Sequence, residues 1–105
     1  MEDEKKLVEG LKRKHNSSVI WRVDIPLDGE EVTLYLKKLD RATYLAATKI
    51  LQTDELQATE IFLKNLTVHG VEKLPKIIDN LDALRAAQAT LLEVLAVKEA
   101  GIKKL

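Results

Sequence analysis

Residues 19–39 read VIWRVDIPLDGEEVTLYLKKL. Val19, Trp21, Val23 and Ile25 recur at every second position with Arg22 and Asp24 between them, the period of a strand that is apolar on one side only. Val32, Leu34 and Leu36 repeat the alternation, and Thr33, Tyr35 and Lys37 take the opposite side. Asp28-Gly29 joins the two runs, and both residue types tolerate the positive φ that a tight hairpin turn demands. Pro26 has no N–H to give to a ladder, so its strand belongs at a sheet edge. A lone hairpin is marginal in water and must lay its apolar side on something. Only helices are left in the chain to receive it. The expected class is therefore α+β, an N-terminal β-hairpin packed against three to four α-helices, with Trp21 on the inward side and in the core.

Working outward, residues 1–18 form a charged N-terminal segment with Leu7, Val8 and Leu11 at helical spacing. Gly10 and the scarcity of apolar anchors predict a short helix that frays. Residues 19–105 then make a single α+β domain. Asp40 is the expected N-cap of a helix that places Tyr44, Ala47 and Leu51 on one face. Asp54, with Gln57 three residues later, starts a second helix carrying Ala58, Phe62, Leu63 and Leu66. The link between these helices is short, so they pair in space. His69-Gly70 reads as the helix stop, with Gly70 in the left-handed cap position. A connector with Pro75 and one helical turn leads past Asp79-Asn80 to a long apolar helix ending near Ala100.

Composition bounds what such a domain does. At 105 residues the chain buries roughly two-thirds of its unfolded surface, enough for one core. The 17 basic and 17 acidic side chains cancel, so no net field steers the chain to nucleic acid or to an anionic membrane. Cysteine is absent, which removes disulfides, thiolate metal sites and a thiol nucleophile together. The opening MEDEKK lacks the apolar core of a secretory signal. Asp82, Arg85 and Glu93 interrupt the longest apolar run before it reaches the ~18–20 residues of a membrane span. The expected setting is the cytoplasm.

Chemistry-bearing patterns are sparse. His15 and His69 have no acidic residue at ligand spacing, so no metal is expected. Asp24 and Asp28 are explained by an outward strand position and a turn. No glycine-rich loop precedes a helix to cradle a phosphate, so no cofactor is expected. Lys12-Arg13-Lys14-His15 lies beside acidic residues without interleaved aromatics, the pattern of a solvated helix end. The expected protein is not an enzyme.

The unabsorbed feature is NLDALRAAQATLLEVLAVK, residues 80–98. Leu84, Leu91 and Leu95 make one stripe, Leu81 and Leu92 widen it, and Val94 and Val97 extend it around the helix. That is broader than the stripe of an ordinary surface helix. Two readings follow: a central helix covered on two sides, or a helix with part of its face kept for a partner or a second copy. The candidate partner-binding residues are Leu81, Leu84, Leu91, Leu92, Leu95 and Val97.

The order IPLDGEEVTLYLKKLDRATYLAA, ATEIFLKNLTVHG, LLEVLAVKEAGIKKL resembles the tail assembly chaperones of long-tailed phages and prophages over residues 23–105. The shared pattern is an acidic-glycine hairpin turn, a strand, a polar helix start, a helical pair ending near glycine and a charged C-terminal helix. Lys38-Leu39-Asp40 stands where many members have an Arg-Pro step. The resemblance implies a non-enzymatic protein that coats the hydrophobic, helical tape measure protein during tail morphogenesis. The alternative is a small phage structural or regulatory protein that self-associates, a homo-oligomer without a client.

Overall fold

The computed structural model describes residues 2–51 and 53–95, with side chains from Asp3 to Leu91. Helix α1 (Glu2–Lys14) precedes strands β1 (Ile20–Leu27) and β2 (Glu30–Lys37). Helices α2 (Arg41–Leu51) and α3 (Glu55–Leu66) follow, then strand β3 (Thr67–His69). A 3-10 turn at Val71–Lys73 runs into α4 (Leu74–Ile78), and α5 (Leu81–Leu95) completes the described chain. The fold is α+β with the hairpin at its centre, as its sequence demands.

The hairpin register runs from Leu27↔Glu30 at the turn to Ile20↔Lys37 at the open end. Asp28 (φ 50°) and Gly29 (φ 82°) both take positive φ, the type I′ geometry whose twist matches that of the strands. Val23, Ile25, Val32, Leu34 and Leu36 are buried on one face, so the period-two reading is correct for all of them. The sheet nevertheless has three strands in the order β1-β2-β3, with Tyr35 paired to His69 and Leu36 to Thr67 across a register shift between Tyr35 and Leu36. The third strand was not expected. It makes β2 the central strand and leaves β1, with Pro26, at an edge.

Helices cover both faces. On the apolar face, Ala58, Phe62, Leu63 and Leu66 of α3, Leu74 and Ile77 of α4, and Ala83, Leu84, Ala87 and Leu91 of α5 join the strand residues in one core. The alanines let backbones approach closely. On the polar face lies α1, with Leu11 buried and Glu4 bonded to Arg22 and Tyr35. The charged N-terminal segment is thus attached to the sheet. Asn16 (φ 48°) ends α1 in a Schellman arrangement, with Ser17 N donating to Lys12 O at 3.0 Å and Asn16 N to Arg13 O at 3.4 Å. The buried Ser17 hydroxyl donates to Val19 O at 2.6 Å and accepts from Lys38 N at 3.0 Å, which staples this loop to the end of β2.

The remaining ends follow the sequence in part. Asp40 caps α2 by accepting from Thr43 N at 2.7 Å, and Asp54 caps α3 by accepting from Gln57 N at 3.0 Å. Asn80 caps α5 by accepting from Ala83 N at 3.1 Å and donates to Asp28 Oδ1 at 3.1 Å, tying α5 to the hairpin turn. Gly70 is left-handed (φ 88°) as expected, but its place is different. Helix α3 ends at Leu66, strand β3 intervenes, and Gly70 turns the chain from that strand into the 3-10 turn. A Cβ there would sit 2.9 Å from Leu34 Cδ2 and 3.0 Å from Thr33 O, so the sheet itself leaves no room for a side chain.

Two core expectations are corrected. Trp21 has the parity of Val23 and Ile25 yet is 41% exposed, because it lies toward the open end of β1, at the margin of the helical cover. The register survives, since Val23 and Ile25 are buried. Helix α2 is rotated from the expected face: Thr43 and Ala47 point inward, while Tyr44 and Leu51 point out. Phe62 is buried as expected.

Candidate functional site

The residues singled out on the long helix separate by burial. Leu84 and Leu91 are core side chains, 4% and 2% exposed, whereas Leu81 at the start of α5 is 56% exposed. The side chains of Leu92 and Leu95, and Val97 altogether, lie outside the described residues. The part of α5 described is therefore mostly a central helix, packed on β1, α3 and α4.

Among the described residues apolar surface does remain open, with three large side chains of it on α2. Tyr44 and Leu51, with Thr48 between them, follow one another at helical spacing, and Leu45 lies beside them. Tyr44, Leu45 and Leu51 are 52%, 47% and 40% exposed. Leu51 also lines a cleft of about 170 Å³ whose other walls are Ala58, Thr59 and Phe62 of α3 and Leu91 of α5. Gln88 Nε2 donates to Glu55 Oε2 at 2.8 Å and so links α3 to α5 beside this cleft. The volume decides what fits. Drug-sized ligands need roughly 300–1,000 Å³. An apolar cavity near ~150 Å³ holds something the size of benzene, which is one large side chain of a partner. Helical spacing places Leu51 on a face with Tyr44 and Ala47 and Phe62 on the apolar stripe of α3; Phe62 is buried accordingly, and neither spacing indicates the gap beside it.

Two larger depressions are polar and open. One, of about 490 Å³, lies between the end of α1 and the start of α2 and is lined by Lys12, His15, Lys37, Lys38 and Asp40. Its charges are paired in part: Lys37 Nζ is 3.5 Å from Asp40 Oδ2, and Lys12, in the last turn of α1, sits at a helix C-terminus, where the dipole favours a cation. The Asp40 carboxyl is held below the ordinary range by the hydroxyl and backbone N–H of Thr43, with help from Lys37. The other, of about 600 Å³, lies at the hairpin turn beside Asp28, Lys76, Asp79 and Asp82. Among the described residues no group of His, Cys, Asp or Glu side chains has the spacing to hold a metal ion.

The densest polar network lies on the outer face of the sheet. Glu4 accepts from Tyr35 Oη at 2.9 Å and pairs with Arg22. Arg22 Nε donates to Asp24 Oδ1 at 3.2 Å, and Thr33 Oγ1 donates to the same oxygen at 2.6 Å. Thr33 and then Arg22 hold the Asp24 carboxyl below its usual range. Burial, and then the Glu4 carboxylate, push the Tyr35 hydroxyl up. The His69 and Tyr35 rings meet in a T-shaped arrangement with centroids 5.6 Å apart. Every carboxylate in this set faces a donor, which is the pattern of a network that docks α1 on the sheet. Strand parity had put Arg22, Asp24, Thr33 and Tyr35 on one side, but nothing local connected Glu4 to them.

No described helix is long and apolar enough to cross a membrane. No family model, curated protein or solved structure matches this chain.

Proposed function

We propose that this protein is a non-enzymatic assembly chaperone or adaptor of the host cytoplasm whose client is an apolar helix, the tape measure protein in the role that the resemblance to tail assembly chaperones implies. The supporting observation is the exposed stripe Tyr44–Leu51 leading into the cleft beside Phe62 and Leu91. A partner helix presents anchors at i, i+3, i+4 and i+7, and a groove that accepts one large apolar side chain is suited to hold such an anchor. The evenly mixed charges elsewhere keep the remaining surface hydrated.

The test uses exposed positions, where a charge leaves the fold intact. Leu45→Glu and Leu51→Glu are compared with wild type for co-purification with fragments covering the apolar helical stretches of a tape measure protein from the same gene neighbourhood. Wild type forms a complex, and both variants lose it with unchanged far-ultraviolet circular dichroism and thermal midpoint. Failure of the wild-type chain to bind any fragment would end this reading, and so would full binding by both variants.

A further inference from the structure

The free edge of the sheet carries a pattern of its own. In a two-residue type I′ hairpin the residues flanking the turn, here Leu27 and Glu30, form a hydrogen-bonded pair. Alternation from that pair turns the main-chain groups of Ile25, Val23 and Trp21 toward β2. It turns those of Ile20, Arg22, Asp24 and Pro26 to the open side. Pro26 therefore sits where its missing N–H costs the hairpin nothing. Among the described residues β1 pairs with β2 alone, and Arg22, Asp24 and Pro26 are exposed.

We propose that a second copy of this chain adds to this edge, β1 against β1, antiparallel and centred on Val23. An exposed edge is a template for main-chain pairing, and any such pairing must set outward residues opposite outward residues. Three two-fold registers use the middle of the strand. Centring on Arg22 opposes two guanidinium groups, and centring on Asp24 opposes two carboxylates. Centring on Val23 sets Arg22 opposite Asp24 of the second copy, twice by symmetry. That register also spans the strand from Ile20 to Pro26, with Pro26 opposite Ile20 at the ends, where one missing donor matters least. Arg22 has donors to spare beyond its bonds to Glu4 and Asp24. On the other face Val23 and Ile25 are already enclosed by their own chain, so the inward side chain of β1 with most surface left to bury is Trp21, which lies opposite Ile25. The exposed indole of Trp21 thereby gains a cover that the single chain does not give it.

The inference is independent of any client, and charge reversal tests it on the full chain. Sedimentation equilibrium of wild type gives a reversible dimer, and the emission of the single tryptophan moves to shorter wavelength as concentration rises. R22D and D24R each oppose like charges twice and weaken the dimer about tenfold or more. Mixing the two restores it, because every opposed pair in the heterodimer is again of opposite sign. R22D/D24R has the same loss of the Glu4 pair as R22D but restores complementarity across the edge, so it dimerises where R22D does not, which separates the strand register from any disturbance of α1. A wild type that stays monomeric up to about 1 mM overturns the proposal. It is equally overturned by single variants that dimerise as well as wild type, by a mixture that remains monomeric, or by a folded double variant that does.

Discussion

Gly70 and Gly29 form a matched pair for measuring how tightly β3 is held against β2. Both have positive φ, 88° and 82°. A Cβ at Gly29 meets nothing within 4 Å, whereas one at Gly70 falls 2.9 Å from Leu34 Cδ2 and 3.0 Å from Thr33 O. Gly29→Ala thus reports the left-handed conformation alone, about 1–2 kcal/mol. Gly70→Ala adds the overlap. Carbon atoms prefer about 3.5–4.0 Å, the Leu34 side chain is fully buried, and the Thr33 carbonyl belongs to the central strand. Forcing a methyl group into such a site costs about 1–3 kcal/mol more, so Gly70→Ala should lose about 2–5 kcal/mol in all. That is a large share of the ~5–15 kcal/mol typical of a domain. Urea unfolding followed by circular dichroism, with an unchanged slope against denaturant, measures both variants. Equal losses at the two glycines would show that β3 does not approach β2 this closely. No loss at either would refute the left-handed assignments themselves.

Other outcomes are simpler to state. Asp40→Ala should cost about 1 kcal/mol through the lost cap of α2, while Asp40→Asn, which can still accept from Thr43 N, should cost little in the same unfolding assay. The Thr67 hydroxyl is buried without a partner, so Thr67→Val should leave the thermal midpoint unchanged or raise it. Asp24 and Asp40 are held below their ordinary range when folded, so they bind fewer protons than in the unfolded chain; stability should be constant at neutral pH and fall as pH drops below about 4, in a series of urea melts. Tyr35 titrates above its ordinary value, so the sign reverses: its contribution should be lost as pH rises past about 10, and Tyr35→Phe should remove that alkaline step.

What the sequence made legible were the features fixed by local chemistry. Alternation set the hairpin register, and side-chain caps marked the starts of α2 and α3. Gly70 has the positive φ expected of it, although it follows a strand and not the helix end that the sequence suggested. What escaped was decided at a distance. Thr67–His69 is too short to show a period, and it becomes a strand because Gly70 lets it lie against Tyr35 and Leu36. Glu4 docks α1 through partners at Arg22 and Tyr35, and a polar contact between distant residues leaves no periodic trace. Trp21 shows the limit of parity, which tells the side a residue faces and not how far the cover on that side extends. The apolar cleft was illegible for a related reason. Leu51, Phe62 and Leu91 are core-type residues on three helices, and only their packing leaves a gap between them.

The two proposed contacts use different parts of the molecule, and that separates them experimentally. The cleft belongs to α2, α3 and α5, while the open edge belongs to β1 and is bordered by the network that holds α1. Leu51→Glu changes no residue of the strand, so it should abolish client binding and leave the dimer as it is. Arg22→Asp changes no residue of the cleft, so it should split the dimer and leave client binding to the single chain. Dimerisation along the edge would place two clefts in one particle, and a long client with repeated apolar anchors would then bind more tightly than a fragment with one, through effective concentration. Comparing wild type with Arg22→Asp on one-anchor and two-anchor fragments isolates that gain. An advantage for the longer fragment that persists in the monomeric variant would mean that the edge contributes nothing to holding the client.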